Sequence, residues 1–383
     1  MLEPSRPACV ATRLTSPGRG AIAVISVEGV SATGCVTQHF VSVAGKPLTS
    51  FPLDRIIFGR WEQSTGYGEE IVVCRTSETA LEVHCHGGVA AARAIMDALA
   101  ADGAIGQAPT SWAARHSRDS IEAEAWLALT EARTERNAAI LLDQYRGALR
   151  TAIEAAIDEL QTCRSAEARQ RLAILLERGD IGRHLTKPWR VVFAGPPNVG
   201  KSSLMNRLLG YQRSIVFDQP GTTRDLLSAP TAFAGWSMEL TDTAGLRESE
   251  DAIELEGVSR ATRFLDEADL TVLVFDATSE WGAEQEQLLS RHPLALLVSN
   301  KWDLQDVHES DRPFIETSAL TGTGVAELIQ KIVQCLVRCE LAPGDAVPFT
   351  SRQVHALDVA RRAIDDGQIV AAINTLQTIV VSP

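Results

Sequence analysis

The chain contains seven cysteines, Cys9, Cys35, Cys74, Cys85, Cys163, Cys335 and Cys339, with no Cys-x-x-Cys pair among them. An odd set of unclustered thiols implies no disulfide framework and reads as reduced cysteine in a cytosolic protein. Positive charge is also short: 36 Lys and Arg stand against 49 Asp and Glu, a formal net charge of -13. That excludes a broad basic surface, so any RNA contact must be local or shared with a partner that carries the positive charge. No apolar run reaches membrane-spanning length, and Met1-Leu2-Glu3-Pro4-Ser5-Arg6-Pro7 lacks the charged-then-apolar order of a signal peptide. A cytoplasmic address without membrane association is expected. Low-complexity tracts and internal repeats are missing as well, and 45% hydrophobic with 22% charged residues is an ordinary globular composition. At 383 residues the chain has room for two or three domains, each with its own core.

The pattern along the chain changes three times. Up to about residue 109, short β-type runs such as Ala21-Ile22-Ala23-Val24-Ile25, Arg55-Ile56-Ile57-Phe58, Glu70-Ile71-Val72-Val73-Cys74 and Ala80-Leu81-Glu82-Val83-His84 alternate with turns, and residues 89–99 have helical spacing. A small α+β domain over 1–112 is expected. Residues 113–187 are rich in Ala, Leu, Glu and Arg, with Ile140, Leu141, Ala148, Leu149, Ile153 and Ile157 at helical spacing, the first part of a helical domain. Lys187-Pro188 breaks that pattern. Strands and helices then alternate over 188–340, the signature of a parallel α/β sheet. After the linker-like Leu341-Ala342-Pro343-Gly344-Asp345, an amphipathic piece at 351–376 returns to helix, so 341–383 is expected to complete the helical domain around an inserted α/β domain.

The inserted domain carries the chemistry. The apolar strand Arg190-Val191-Val192-Phe193-Ala194 leads into Gly195-Pro196-Pro197-Asn198-Val199-Gly200-Lys201-Ser202-Ser203 and then the helical Leu204-Met205-Asn206-Arg207-Leu208-Leu209. A P-loop in this context aims backbone N–H groups at phosphates from a glycine turn feeding a helix. Lys201 adds a point charge for the β- and γ-phosphates, and Ser202 offers a hydroxyl to Mg2+. Asp242-Thr243-Ala244-Gly245 follows another strand and sets a carboxylate near the metal and the Gly245 N–H at the γ-phosphate, as a switch II does. Between the two lies Phe217-Asp218-Gln219-Pro220-Gly221-Thr222-Thr223, a switch I whose Thr223 hydroxyl reaches the metal while the γ-phosphate is present. Asn300-Lys301-Trp302-Asp303 follows the strand Ala295-Leu296-Leu297-Val298-Ser299. Its Asp303 accepts from the guanine N1 and 2-amino groups, a donor pair that adenine lacks. Ser318-Ala319-Leu320 completes the loop around the base. The order and context of these motifs predict GTP and GDP binding with Mg2+.

At Pro196-Pro197-Asn198, Gly221-Thr222-Thr223-Arg224-Asp225 and Asp242-Thr243-Ala244-Gly245-Leu246-Arg247 the chain resembles the MnmE (TrmE) family of tRNA-modification GTPases. Ser16-Pro17-Gly18-Arg19-Gly20-Ala21-Ile22-Ala23 looks like that family's N-terminal glycine loop. Glu82-Val83-His84-Cys85-His86-Gly87-Gly88 resembles its Glu-Leu-x-Gly-His-Gly-Gly segment, and Asp119-Ser120-Ile121-Glu122-Ala123-Glu124-Ala125 its first long helix. The resemblance implies a homodimer, formed through the N-terminal domains and transiently through the G domains. It also implies an FAD-containing MnmG (GidA)-like partner, indirect contact with tRNA, and modification of the wobble uridine at C5 with a folate one-carbon unit. It implies K+ in place of an arginine finger, held by Asn198, the carbonyls of Phe217 and Gln219, and Thr222. Glu254 stands where the family has the glutamate that orients the attacking water, beside Thr223 and Gly245 as catalytic positions.

Some positions depart from the family. Its C-terminal Cys-x-Gly-Lys is absent from Ile379-Val380-Val381-Ser382-Pro383, Ser26 replaces its folate-contacting arginine, and Ser117, next to Arg118, falls near its lysine. Of the folate positions only Glu82 matches, so the departures count against a tetrahydrofolate derivative. They favour an alternative, a divergent paralogue acting as a regulatory or assembly GTPase without folate-dependent tRNA modification, whereas the retained domain order favours the tRNA-modifying enzyme. Work in ribosome assembly is disfavoured by the acidic balance. His84-Cys85-His86 is not expected to bind metal, because strand alternation sends Cys85 to the opposite face.

Overall fold

A computed structural model of the chain describes residues 7–18, 20–62, 68–211, 228–242, 265, 267–304 and 312–381. These divide into two compact units, one ending at Glu131 and the other running from Ala132 to Val381. The first is built on a seven-stranded sheet of β1 (Val10–Arg13), β2 (Ile22–Glu28), β3 (Phe40–Ser42), β4 (Ile56–Glu62), β5 (Gly68–Ser77), β6 (Ala80–His86) and β7 (Ile105–Gly106). Their spatial order is β3-β4-β5-β6-β2-β1-β7, antiparallel except for β1 with β7. Alternation explains the layer: Ala23, Ile25 and Val27 of β2 and Leu81, Val83 and Cys85 of β6 all turn to one face. There they form a core with Ala32 and Val36 of α1 (Ala32–Thr37) and Ile95 and Leu99 of α2 (Val89–Ala101). Cys85 lies in this core while His84 pairs with Glu82 on the other face, as strand alternation requires. The helices α3 (Pro109–His116) and α4 (Ser120–Glu131) also fall within this unit.

The second unit holds a six-stranded sheet of β8 (Trp189–Ala194), β9 (Ser228–Phe233), β10 (Trp236–Asp242), β11 (Leu270–Asp276), β12 (Leu296–Asn300) and β13 (Ile315–Glu316). Its order is β13-β12-β11-β8-β10-β9, and every neighbouring pair is parallel except β9 with β10. Strands buried on both faces read as continuous apolar runs, and Val191, Val192 and Phe193 of β8 and Val272, Leu273 and Val274 of β11 are all buried. Helices α8 (Lys201–Tyr211), α9 (Ala283–Arg291) and α10 (Val325–Leu336) belong to this sheet; the buried face of α10 is Val325, Leu328, Ile329, Ile332 and Leu336. The antiparallel edge is a departure from the alternating strand–helix pattern expected here. β9 and β10 are joined by Ala234-Gly235, both with positive φ (48° and 81°), the mirror-image turn that suits strand twist. Its sequence lacks the Asn-Gly or Asp-Gly signature of such hairpins.

The remaining helices are α5 (Glu135–Tyr145), α6 (Ala148–Gln161), α7 (Ser165–Arg183), α11 (Ser351–Asp365) and α12 (Ile369–Val380). α6 packs on α7 and α12, and α7 on α11, so segments from both sides of the six-stranded sheet meet. Gln144 of α5, fully buried, donates to Asp345 O (2.9 Å) and accepts from Val347 N (3.1 Å), fixing the returning chain. The amphipathic stretch expected at 351–376 is two helices, because Asp366 caps the first and Gly367 follows with φ of 73°.

Candidate nucleotide-binding site

The loop after β8 is shaped by three positive-φ residues, Gly195 (148°), Asn198 (60°) and Gly200 (89°). A Cβ on Gly195 would lie 2.1 Å from Val274 O, and one on Gly200 would lie 2.5 Å from Asn300 Nδ2. The glycines are therefore required both by backbone conformation and by close approach. Lys201 opens α8, is 5% exposed, and donates from Nζ to Gly195 O (3.1 Å) and Pro196 O (2.7 Å). Its ammonium is thus held at the carbonyls of the glycine loop. The Ser202 hydroxyl bonds to Asp242 Oδ2 at the end of β10, so two hard oxygen donors from elements forty residues apart meet at the loop mouth. Val199 is buried and Ser203 exposed in the first turn of α8.

Asn300, 1% exposed, ties the base-recognition end to the phosphate end. Its Nδ2 donates to Val199 O (2.9 Å), and its Oδ1 accepts from Ala319 N (3.2 Å) and the Thr317 hydroxyl (3.3 Å). One side chain thereby joins the P-loop, the turn after β12 and the loop after β13. Ser318 is fully buried and caps its own loop through Oγ to Thr321 N (3.1 Å), while Leu320 is 79% exposed. Asp303, exposed on the short 3-10 turn Trp302–Leu304, is positioned by Trp302 N donating to Thr317 O (3.0 Å).

Sequence reasoning missed Asp276, at the end of β11, which pairs with Lys301 Nζ at 2.7 Å. Burial raises its carboxyl, but the Lys301 ammonium and the Thr278 hydroxyl and amide outweigh that and hold it below the ordinary carboxylate value. The pair braces Lys301, whose φ is 64°. An acidic residue closing an apolar strand one step before a loop was the available signal. Beside the P-loop a cavity of about 260 Å3 is lined by Asn198, Asp276, Trp281 and Lys301 among others. Phe217, Asp218, Gln219, Pro220, Gly221, Thr222, Thr223, Thr243, Ala244, Gly245 and Glu254 lie outside the described residues.

A family model for 50S ribosome-binding GTPases matches residues 190–301. Over most of its length the chain is similar to proteins named tRNA modification GTPase MnmE. It is 34% identical over 409 residues to that of Synechococcus sp. (strain WH7803), covering 94% of this chain and 86% of the relative. It is 33% identical over 409 residues to that of Synechococcus sp. (strain CC9605), covering 95% and 89%. The chain belongs to the MnmE family. Among solved structures, Era in complex with MgGDPNP and a segment of 16S ribosomal RNA is similar over 46% of this chain and 67% of that chain, at 29% identity and a TM-score of 0.32.

The MnmE folate positions lie in the first unit. Glu82 on β6 stands in register with Ser26 on β2, and its Oε2 is 3.1 Å from His84 Nε2. Ser26 is 5% exposed: its hydroxyl donates to Glu28 Oε1 (3.1 Å) and accepts from Trp112 Nε1 (3.2 Å). Ser117 caps the end of α3, and Arg118 Nε donates to Glu122 Oε2 (2.7 Å). The hydroxyl beside Glu82 is thus closed over by an indole, and Arg118, 60% exposed, pairs with the Glu122 carboxylate. These residues do not fit a folate held by an arginine and a lysine across from Glu82.

Proposed function

We propose that the chain hydrolyses GTP to GDP and phosphate at this site and serves modification of the wobble uridine at C5 in tRNA. The observation that carries the nucleotide reading is Asn300, whose one side chain locks the base-recognition turn to the P-loop backbone. Such a lock makes the cradle and the Asp303 carboxylate one rigid receptor for guanine and phosphate together. Ser202 and Asp242, already in contact, are hard oxygen donors of the kind Mg2+ takes, with Thr223 as a third. A divalent ion there supplies charge neutralisation to the β- and γ-phosphates. Lys201 adds its own charge, and the P-loop amides orient the phosphate chain.

On this reading Asn198, with positive φ at the loop crest, holds K+ with Phe217, Gln219 and Thr222, while Gly245 receives the γ-phosphate and Glu254 orients the attacking water. The packing of α6 and α7 against α11 and α12 supports a helical domain into which the G domain, 188–340, is inserted after an N-terminal domain. Membership of the MnmE family supports a homodimer and an MnmG-like FAD partner. Among the described residues no helix is long and apolar enough to cross a membrane. The test is turnover of GTP by the full chain in potassium and in sodium, with Asn198→Ala alongside. Faster turnover in potassium, lost in the variant, is expected; equal rates in both salts remove the Asn198 cage.

A further inference from the structure

The β9–β10 hairpin lies in sequence between the two segments assigned to γ-phosphate sensing, 217–225 and 242–254, and its second strand ends at Asp242 beside Ser202. Its tip is at the other end of the strand, six residues and roughly 20 Å from Asp242 at about 3.3 Å per residue. That tip is held by Arg136, in the first turn of α5. Arg136 donates from its guanidinium to Ala234 O (3.0 Å), and the same group lies 4.6 Å from the centre of the Trp236 ring. Trp236 is 2% exposed, so this contact is made with a fixed wall. The turn glycine, Gly235, lets the arginine stem cross the tip: a Cβ there would meet Arg136 Cβ at 3.1 Å and Cδ at 3.3 Å.

The next residue grips the segment that leads from α7 into β8. Asn137, fully buried, donates from Nδ2 to Leu185 O (2.9 Å) and His184 O (3.4 Å). His184 stacks on Trp189 with ring centres 3.5 Å apart, and Trp189 opens β8, the strand that delivers the P-loop. Thr134 caps α5 by accepting from Asn137 N (3.2 Å), which fixes both side chains relative to one helix end. β10 runs beside β8 with Met238 opposite Trp189. The hairpin tip, which extends beyond the β8–β10 ladder at Met238–Asp242, and the Leu185 backbone are thus held by adjacent residues at the start of α5.

We infer that Arg136 is a positioning residue that couples the hairpin between the two switch segments to helix α5, so that the presence of a γ-phosphate is felt by the helical segment. Asn137 provides the fixed reference and Arg136 the moving contact. This rests on the GTP-binding reading. By linkage, an element that feels the nucleotide state also biases it to the same extent.

Hydrogen–deuterium exchange of the full chain, saturated with GDP or with a non-hydrolysable GTP analogue, tests this with Arg136→Ala and Arg136→Lys beside the wild type. In the wild type, exchange of the α5 amides from Ala138 onward is expected to differ between the two states by on the order of fivefold or more. Arg136→Ala loses that difference but keeps the P-loop protection, and Arg136→Lys, which still donates to Ala234 O, restores part of it. Equal α5 exchange in both states of the wild type, with the P-loop protected, overturns the inference, as does an undiminished difference in Arg136→Ala. Failure of both nucleotides to protect the P-loop would instead strike at the GTP-binding reading itself. An α5 already exchanging fully in nucleotide-free Arg136→Ala would show a purely structural clamp, and would also overturn it.

Discussion

Replacing Gly200 with alanine should weaken both the fold and the grip on nucleotide, through separable causes. At φ of 89° an L-residue pays a backbone penalty of about 1–2 kcal/mol, present with or without nucleotide and therefore seen as lost stability. The new methyl would lie 2.5 Å from Asn300 Nδ2, and that amide is the donor to Val199 O. Asn300 is 1% exposed, so moving it leaves a buried donor and a buried carbonyl unpaired, about 1–3 kcal/mol. Because this second part dislocates the Asn300 tie, it should appear in affinity, as a loss of roughly 5- to 150-fold for GDP. Titration with a fluorescent GDP and urea unfolding of the same preparations measure the two effects. The decisive comparison is Gly200→Ala placed in an Asn300→Ala background: with the obstructing amide gone, only the backbone part should remain, so the two changes must be markedly non-additive. Additive losses, or an affinity within twofold of wild type for Gly200→Ala alone, would refute the steric reasoning.

Asp303→Asn should lower GTP affinity by roughly 10- to 100-fold, the worth of charge-assisted bonds to the base, and raise relative affinity for xanthosine triphosphate, whose ring edge presents an acceptor where guanine has its amino group; competition binding reads both. Burial against Trp189 holds the His184 imidazole below its ordinary 6.5 despite the pull of Asp269. The unfolded chain thus takes up that proton first: the contribution is complete above 6.5 and lost as pH falls from there towards the depressed folded value. His184→Phe, which keeps the stack, should flatten the slope of unfolding free energy against pH below 6.5, and an unchanged slope would show that another group sets it. Calorimetric titration of the folded full chain with a tetrahydrofolate should give no saturable heat, since Ser26 is closed over by Trp112 and Arg118 is engaged by Glu122; saturable binding that is lost in Glu82→Ala would overturn that conclusion.

The P-loop, Asp242 and the Asn300-Lys301-Trp302-Asp303 turn were legible because each combines an apolar strand with residues whose chemistry is local. Gly195 and Gly200 announce positive φ, and Lys201 and Ser202 follow at fixed offsets on a helix start. Asn300 illustrates the limit. The motif marks it as a site residue, but its bonds run to Val199 and Ala319, partners that only the sheet order β12-β11-β8 and the β13 crossover bring together. Asp276 was missed for a similar reason, as its partner Lys301 lies one strand away. The β9–β10 hairpin escaped because its turn uses Ala234 at a positive φ, which a residue with a Cβ seldom adopts, so local preference pointed away from what tertiary pairing imposed.

These contacts divide the site into a part set by the resting fold and a part set by ligand. On the proposed reading, guanine recognition and the phosphate cradle are joined through Asn300 and braced by the Asp276–Lys301 pair. Pre-formed contacts of this kind bind GDP and GTP alike and by themselves cannot distinguish them. Discrimination must come from groups whose contacts depend on the γ-phosphate, and the proposed ones, Thr223 and Gly245, flank the β9–β10 hairpin in sequence. β10 is paired with β8 from Met238 to Asp242 and with β9 from Trp236 to Thr241, so on the proposed coupling a displacement at the Asp242 end is carried along a hydrogen-bonded ladder to Trp236. On the proposed coupling, such a switch reports at the tip of the hairpin, where Arg136 bonds Ala234 O, rather than at the guanine end, which Asn300 ties to the P-loop.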